Sequence, residues 1–166
     1  ASLVVPKIAP ETLAKLRDQA RLQVVERETG RQVVELLPIE AGTVRGFARL
    51  PRPDDGDLFF DMEGDPMEEG GLEYLFGLVT EPTAEGDDPP FVPLWAHDRA
   101  EEKKALEAFL AFVVERRAQH PGMHVYHYAP YETTALKRLV GRHGVGEDVL
   151  DDLLRSGVFV DLYALV

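Results

Sequence analysis

The spacing of hydrophobic residues divides the chain into an N-terminal helical segment and a longer region of strands and helices. Apolar residues recur at helical spacing between Pro10 and Gly30, which predicts a first helix. Val33–Leu37 is a short apolar run that predicts a strand. The segment PRPDDGD at 51–57 then interrupts all periodicity. We therefore place a boundary in this segment, with one helix in residues 1–54 before it and a separate domain at residues 55–166.

The order of elements in the second region indicates a mixed sheet. Apolar runs separated by turn-rich segments predict three strands, at Leu58–Met62, Leu72–Thr80 and Phe91–Ala96, and this order favours an antiparallel meander. Helices and strands alternate after that point, which favours parallel pairing. The later elements are a helix beginning after Asp98, a strand at His124–His127, a helix at Pro130–Arg142, a short helix at Glu147–Leu154 and a strand at Val158–Val160. The pattern predicts an α/β fold with helices flanking the sheet.

Composition and charge narrow the classes of function. Hydrophobic residues make up 45% of the chain, and no cysteine is present, so neither disulfides nor thiolate zinc sites can form. No apolar run reaches the roughly 18 residues of a membrane span, so we expect a cytoplasmic protein without a membrane partner. The net charge of −12 disfavours a surface that binds nucleic acid by neutralising many phosphates. It is compatible with a metal-dependent enzyme, whose carboxylates hold cations.

Two acidic residues lie two positions apart at the end of the first predicted strand. Asp61 and Glu63 leave the same face of a strand, while Phe60 and Met62 pack behind it. Adjacent carboxylates repel each other, and a divalent cation removes that repulsion. A strand that simply runs into the acidic turn EGDPMEE stays open as the structural alternative. An EF-hand loop is disfavoured because Pro66 stands where such a loop needs glycine.

A third carboxylate lies at a predicted turn from strand to helix. Glu132 falls on the apolar stripe of its own helix, together with Ala135, Leu136 and Leu139. A carboxylate buried there needs a partner. A glutamate in the first turn can also favour the helix dipole and reach solvent, and that alternative stays open for Glu132 alone. Its combination with the Asp-x-Glu pair favours a functional role.

Together these motifs resemble the RNase H-like domain of predicted RecB-type nucleases, the YprB-like branch of the DEDD (DnaQ-like) 3′-to-5′ exonuclease superfamily. The resemblance covers about residues 56–166, and Asp61 and Glu63 match the first motif, Asp-x-Glu. It implies an RNase H-like fold and a metal-dependent exonuclease that hydrolyses the phosphodiesters of DNA or RNA. It also implies two Mg²⁺ or Mn²⁺ ions held by Asp61, Glu63 and Glu132. The implied partners are single-stranded nucleic acid and the additional nuclease and helicase domains of a larger protein, to which residues 1–54 would form a connector.

The second motif of that superfamily, Asn-x-x-Phe-Asp, is similar to the segment from His127 to Glu132. Tyr128 stands at the Asn position, Tyr131 at the aromatic position and Glu132 at the acid. Relatives carry a fourth carboxylate on a later helix, so the resemblance implies a C-terminally incomplete domain of weak or no activity. We expect Asp161, His127, Tyr128 and Tyr131 to support the site without holding the metal.

Two other functions stay open. A non-catalytic RNase H-like interaction domain fits the unusual Glu132 and the acidic composition, and it would have no reason to keep a divalent metal site. A phosphatase or nucleotidase would hydrolyse small phosphoesters and leave nucleic acid intact, although its Asp-x-Asp motif has Glu63 in place of the second Asp.

The remaining polar and aromatic side chains are expected to be structural. A zinc cluster of His120, His124 and His127 is disfavoured because alternating strand faces separate their side chains. We expect Tyr74 and Trp95 in the core, His97 and His143 at the surface or at helix caps, and Lys137, Arg138 and Arg142 on a solvated helix face.

Overall fold

The computed structural model describes residues 5–36, 42–81 and 88–165. The chain divides into two compact units, Ala1–Thr43 and Val44–Val166. The first contains helix α1 (Pro10–Thr29), which begins with proline at its first position and ends at Gly30 in the left-handed conformation. This helix confirms the prediction from the apolar spacing. The connector role of residues 1–54 stays a prediction.

The strand predicted at Val33–Leu37 is wrong over its described part. Residues 32–36 form neither helix nor strand, and Leu37 lies outside the described residues. The side chain of Leu36 is 85% exposed. An extended segment becomes a strand only by pairing with a neighbour, and no described strand pairs with this one.

The second unit contains the five-stranded mixed sheet that the pattern predicts. Its strands lie in the order β3-β2-β1-β4-β5. The β1–β2 and β2–β3 pairs are antiparallel, whereas β1–β4 and β4–β5 are parallel. The strands are β1 (Leu58–Asp65), β2 (Leu72–Thr80), β3 (Phe91–Trp95), β4 (Val125–His127) and β5 (Phe159–Asp161). The sheet thus combines the expected meander with the expected parallel strands.

Three helices accompany this sheet: α2 (Arg99–Gln119), α3 (Tyr131–His143) and α4 (Glu147–Arg155). Asp98 caps the N-terminus of α2 by accepting from the Glu101 amide, and the Glu101 side chain accepts from the His97 amide. Two short 3₁₀ helices, Gly46–Arg49 and Tyr163–Leu165, are also present. None of the described helices is both long and apolar enough to cross a membrane.

The two faces of β1 have opposite character, and this difference sets up the site. Leu58, Phe60 and Met62 are buried, and the Phe60 ring stacks on Phe109 of α2 with 4.2 Å between ring centroids. Phe59, Asp61 and Glu63 alternate with them and are exposed. The strand therefore packs its apolar side against the helices and turns both carboxylates to the other side.

A bulge interrupts the β1–β2 ladder directly after the carboxylate pair. Glu63 is opposite Leu75, but Gly64 is opposite Glu73, so Tyr74 is the extra residue on β2. The shift changes which β2 side chains reach the helices. As a result Glu73 is buried.

Trp95 does not lie in the core, so that expectation is wrong. Its side chain is 53% exposed, and its ring lies nearly parallel to those of Tyr74 and His97, with centroid distances of 6.4 and 6.3 Å. The reason is that β3 is the edge of the sheet and its exposed positions alternate along the strand. Tyr74 is only partly buried.

Candidate functional site

Asp61 and Glu63 lie side by side on the open face of β1. Two residues along a strand are about 6.7 Å apart, so both carboxylates can approach one cation. Across the ladder, Asp61 is opposite Gly77, which has no side chain, and Glu63 is opposite Leu75. The ring of Phe91 from β3 occupies the space over Gly77, because a Cβ atom there would lie 3.1 Å from it.

Glu132 approaches from a separate segment of the chain. It lies in the first turn of α3, and its side chain is only 3% exposed. Its Oε2 atom has no hydrogen-bond partner and lies 3.3 Å from Nδ1 of His127. That nitrogen lies 2.8 Å from the Ala129 carbonyl oxygen and donates to it when protonated. Glu132 is thus a buried carboxylate with one oxygen that has no hydrogen-bond donor, and such a group favours a cation.

The electrostatics of Glu132 connect it with the Asp-x-Glu pair. Burial raises the pKa of Glu132 most strongly, and the negative charge of Asp61 also raises it. The Glu132 backbone amide and His127 lower the pKa of Glu132, but the net shift is upward. Asp61 is therefore near enough to repel Glu132. A cation between the two carboxylates would remove this repulsion.

The three carboxylates do not form a closed metal cage in this conformation. Over residues 5–36, 42–81 and 88–165, no group of three or more His, Asp or Glu side chains is arranged to hold a metal ion. Asp61 and Glu63 form an exposed pair, and Glu132 faces His127. The donor chemistry nevertheless fits Mg²⁺ or Mn²⁺, because all three side chains offer oxygen and the Glu132 oxygen lacks a partner.

The turn before α3 is held from two sides. Ala129 has a positive φ of 67°, a conformation that costs a residue other than glycine about 1–2 kcal/mol. Its amide donates to Oδ1 of Asp161 at 2.9 Å, and its carbonyl oxygen lies against His127. The same Asp161 oxygen accepts from the Tyr163 amide at 2.9 Å. Asp161 and His127 thus fix the backbone that leads into Glu132.

The two predicted tyrosines have different surroundings. The Tyr131 hydroxyl donates to Glu73, at 3.1 Å from Oε1 and 3.0 Å from Oε2. Burial, followed by Glu73, raises the pKa of Tyr131 to about 12, and the charge of Glu63 contributes to this shift. The exposed Tyr128 ring instead packs edge-to-face on Tyr163. The structure therefore brings Tyr131 close to both motifs and places Tyr128 against the 3₁₀ helix.

Sequence reasoning missed a buried carboxylate on α2. Glu102 is fully buried and accepts from the Glu73 amide and from Nε2 of His143, each at 2.8 Å. Although burial raises its pKa, hydrogen bonds from Glu73, His143 and Arg99 outweigh burial, so the pKa of Glu102 is lowered. The sequence did contain one signal. Glu102 lies four residues before Leu106 on the apolar stripe of α2, just as Glu132 lies four residues before Leu136 on α3.

These contacts correct the expectation for His143, and they add ion pairs to Arg138 and Arg142, which are exposed as expected. His143 is a partner of Glu102 and not a surface or cap residue. Arg138 pairs with Glu73, and Arg142 reaches Glu102 and the carbonyls of Gly70 and Gly71, because a buried carboxylate draws nearby cations inward. Only Lys137 of that helix face is exposed without such a contact.

The histidines near β4 each have their own carboxylate. His120 lies 3.5 Å from Asp54, and His124 lies 3.2 Å from Asp57. His127 is next to Glu132. Within the described part of the chain each of the three histidines thus lies next to a different carboxylate.

Comparison with known families identifies the fold. Residues 58–166 match the family model RNase_H_2, described as RNase_H superfamily. The chain belongs to the RNase_H superfamily. A search of curated proteins and a search of solved structures gave no match. The mixed sheet with its helices is accordingly an RNase H-like α/β fold, the class expected from the motifs.

Membership in the RNase_H superfamily indicates a nuclease-type fold and implies nucleic-acid binding, and RNase H-like nucleases generally use divalent metal ions. The match includes both the β1 carboxylates and Glu132. The finer assignment to one branch of the superfamily rests on the motifs alone.

Proposed function

We propose that this chain contains a divalent-metal-dependent nuclease domain that hydrolyses phosphodiesters of nucleic acid. At a finer level we propose a 3′-to-5′ exonuclease of the YprB-like, RecB-type branch, which acts on single-stranded DNA or RNA within a larger protein. One observation carries the proposal: Asp61 and Glu63 share the open face of β1, next to a buried Glu132 with an unpaired oxygen.

Asp61, Glu63 and Glu132 would hold Mg²⁺ or Mn²⁺. When bound, two such ions supply Lewis acidity to the attacking water and to the leaving oxygen of the phosphodiester. The protein's own groups orient the third carboxylate. Asp161 and His127 hold the Ala129 turn, and burial keeps Glu132 from turning into solvent.

Single-stranded nucleic acid as the substrate is supported by the aromatic side chains beside the carboxylates. Glu63 of β1 is opposite Leu75 of β2, which is opposite Trp95 of β3, so the exposed Trp95 lies in the same row as Glu63. The exposed Phe59 lies two residues before Asp61 on the same face. Unpaired bases stack on such rings, whereas paired bases are already stacked.

Metal titration with matched variants tests the proposal. Mn²⁺ is titrated calorimetrically into the wild type and into an Asp61→Asn, Glu63→Gln variant. A Glu68→Gln, Glu69→Gln variant loses the same two charges in an exposed turn and serves as the control. Each protein is then incubated with Mn²⁺ and a 3′-labelled single-stranded oligonucleotide.

Mn²⁺ binding that disappears only in the Asp61, Glu63 variant would support the nuclease, and label release lost in the same variant would add direct support. Absence of both in the wild type would refute it. That result would favour the second candidate, a non-catalytic interaction domain, which is supported by the lack of a closed three-residue metal cage among the described residues.

A further inference from the structure

Glu73 is a buried side chain that contacts both carboxylate motifs. It lies on β2 directly before the bulged residue Tyr74, and its side chain is 3% exposed. It is not one of the metal-binding side chains of the proposed function. Burying a carboxylate costs free energy unless the group is hydrogen-bonded or ion-paired, so the partners of Glu73 indicate its role.

Its first contact is with the residue that follows Glu63. Gly64 is the register partner of Glu73. A Cβ atom on Gly64 would lie 2.6 Å from Oε2 of Glu73 and 2.8 Å from the Tyr131 hydroxyl. The β1 backbone therefore touches both groups, with no room between them for even a methyl group.

Its second contact is with the residue that precedes Glu132. The Tyr131 hydroxyl donates to both oxygens of Glu73, at 3.1 and 3.0 Å. Arg138, which lies about two turns after Tyr131 on the same face of α3, forms an ion pair with the same carboxylate. Glu73 thus holds α3 at two points, and one of them is adjacent to Glu132.

The position of Glu73 is itself fixed from behind. Its amide donates to Oε1 of the fully buried Glu102 at 2.8 Å. Glu102 is held in turn by Arg99 and His143. This arrangement gives the Glu73 side chain little freedom to follow a movement of either motif.

Resting on the proposed function, we propose that Glu73 is a positioning residue, which sets the distance between Glu63 and Glu132 by binding Tyr131 against Gly64. It does not touch the metal. Groups that orient metal ligands through hydrogen bonds typically change metal affinity by about 10- to 100-fold when they are removed.

A matched pair of tyrosine variants tests this role. Tyr131→Phe removes the hydroxyl that binds Glu73. Tyr126→Phe removes a hydroxyl that binds another buried carboxylate, Asp57, at 3.4 Å, just before β1 begins. Both hydroxyls have a pKa raised to about 12 by burial and by their carboxylate, so the two changes are chemically alike.

Two quantities are measured for each variant: the Mn²⁺ affinity, and the hydrogen-exchange rate of the Thr134 amide, which donates to the Pro130 carbonyl in the first turn of α3. We expect Tyr131→Phe to weaken Mn²⁺ binding by about tenfold and to speed Thr134 exchange. Tyr126→Phe should leave both at the wild-type level. Glu73→Gln, which keeps an oxygen that can accept from Tyr131, should lie between Tyr131→Phe and the wild type.

Equal effects of the two tyrosine variants, or no effect of Tyr131→Phe on either quantity, would overturn the positioning role. If the wild type binds no Mn²⁺, the proposed function fails. Thr134 exchange alone then decides whether Glu73 holds the start of α3. Should Tyr131→Phe not fold, Glu73→Gln takes its place in both measurements, and wild-type values in that variant would count against the role.

Discussion

Gly64→Ala is the substitution for which the structure gives the sharpest expectation. The backbone of Gly64 is not in the left-handed region, so alanine can adopt it without conformational strain. The whole effect comes from the added methyl group. That methyl would lie 2.6 Å from Oε2 of Glu73 and 2.8 Å from the Tyr131 hydroxyl, distances that real Cβ contacts essentially never show.

The size of the effect follows from the two atoms that must move. Each would have to retreat by roughly half an ångström or more, which strains a buried hydrogen bond with a length of 3.0 Å. Overpacking of this kind costs about 1–3 kcal/mol, and a hydrogen bond to a charged group contributes about 1.5–3 kcal/mol. Because the bond is strained and not wholly lost, we expect the free energy of unfolding to fall by about 2–3 kcal/mol.

Urea and thermal unfolding measure this loss. For a chain of this size the melting temperature falls by about 2–4 °C per kcal/mol. Gly141→Ala is the control: Gly141 lies within α3, a Cβ there meets nothing within 4 Å, and we expect stabilisation by about 0.5–1 kcal/mol. Adding Tyr131→Phe to Gly64→Ala should recover part of the loss. A Gly64→Ala protein as stable as wild type would refute the packing argument.

Three further predictions concern single side chains. Glu132→Gln should abolish most Mn²⁺ binding, which calorimetric titration measures. The free energy of unfolding should stay within about 1 kcal/mol of wild type or rise, because the buried carboxylate has an oxygen without a hydrogen-bond partner. A large loss of stability in urea titration would contradict this. Trp95 is the sole tryptophan, so unpaired oligo(dT) should quench its fluorescence in the Asp61→Asn, Glu63→Gln variant more than a duplex does; equal quenching would argue against stacking. The pKa of Glu102 is lowered in the folded state, so the ionised side chain stabilises the fold fully above the ordinary pKa of 4.5. This stabilisation is lost as the pH falls through the pKa of the folded state. Acid unfolding that is identical in Glu102→Gln would contradict this.

Most of the fold could be predicted because apolar periodicity is local. The buried stripe of α2 and the alternation along β1 each follow from neighbouring residues, and both elements are found where the pattern places them. The predicted strand at Val33–Leu37 shows the limit of such patterns. Strand formation depends on a partner elsewhere in the chain, and a local apolar run does not reveal whether one exists.

The candidate site could be predicted only in part, for a related reason. The spacing of Asp61 and Glu63 determines that they share a face, and helical spacing determines that Glu132 turns inward. The contacts of Glu73 depend on a bulge that shifts the β1–β2 register by one residue, and no motif in β2 indicates it. Trp95 was misplaced because the sequence does not say which strand forms the edge of the sheet.

The mixed pairing of the sheet has a consequence for how the site comes into existence during folding. The β1–β2–β3 meander joins consecutive segments, and such local contacts form early. The parallel pairing of Phe59 with Tyr126 must instead close a long loop, which is entropically slow. We therefore expect the strand with Asp61 and Glu63 to form before Glu132 arrives with β4 and α3. A nascent or partly folded chain would carry the exposed acidic pair without its third member.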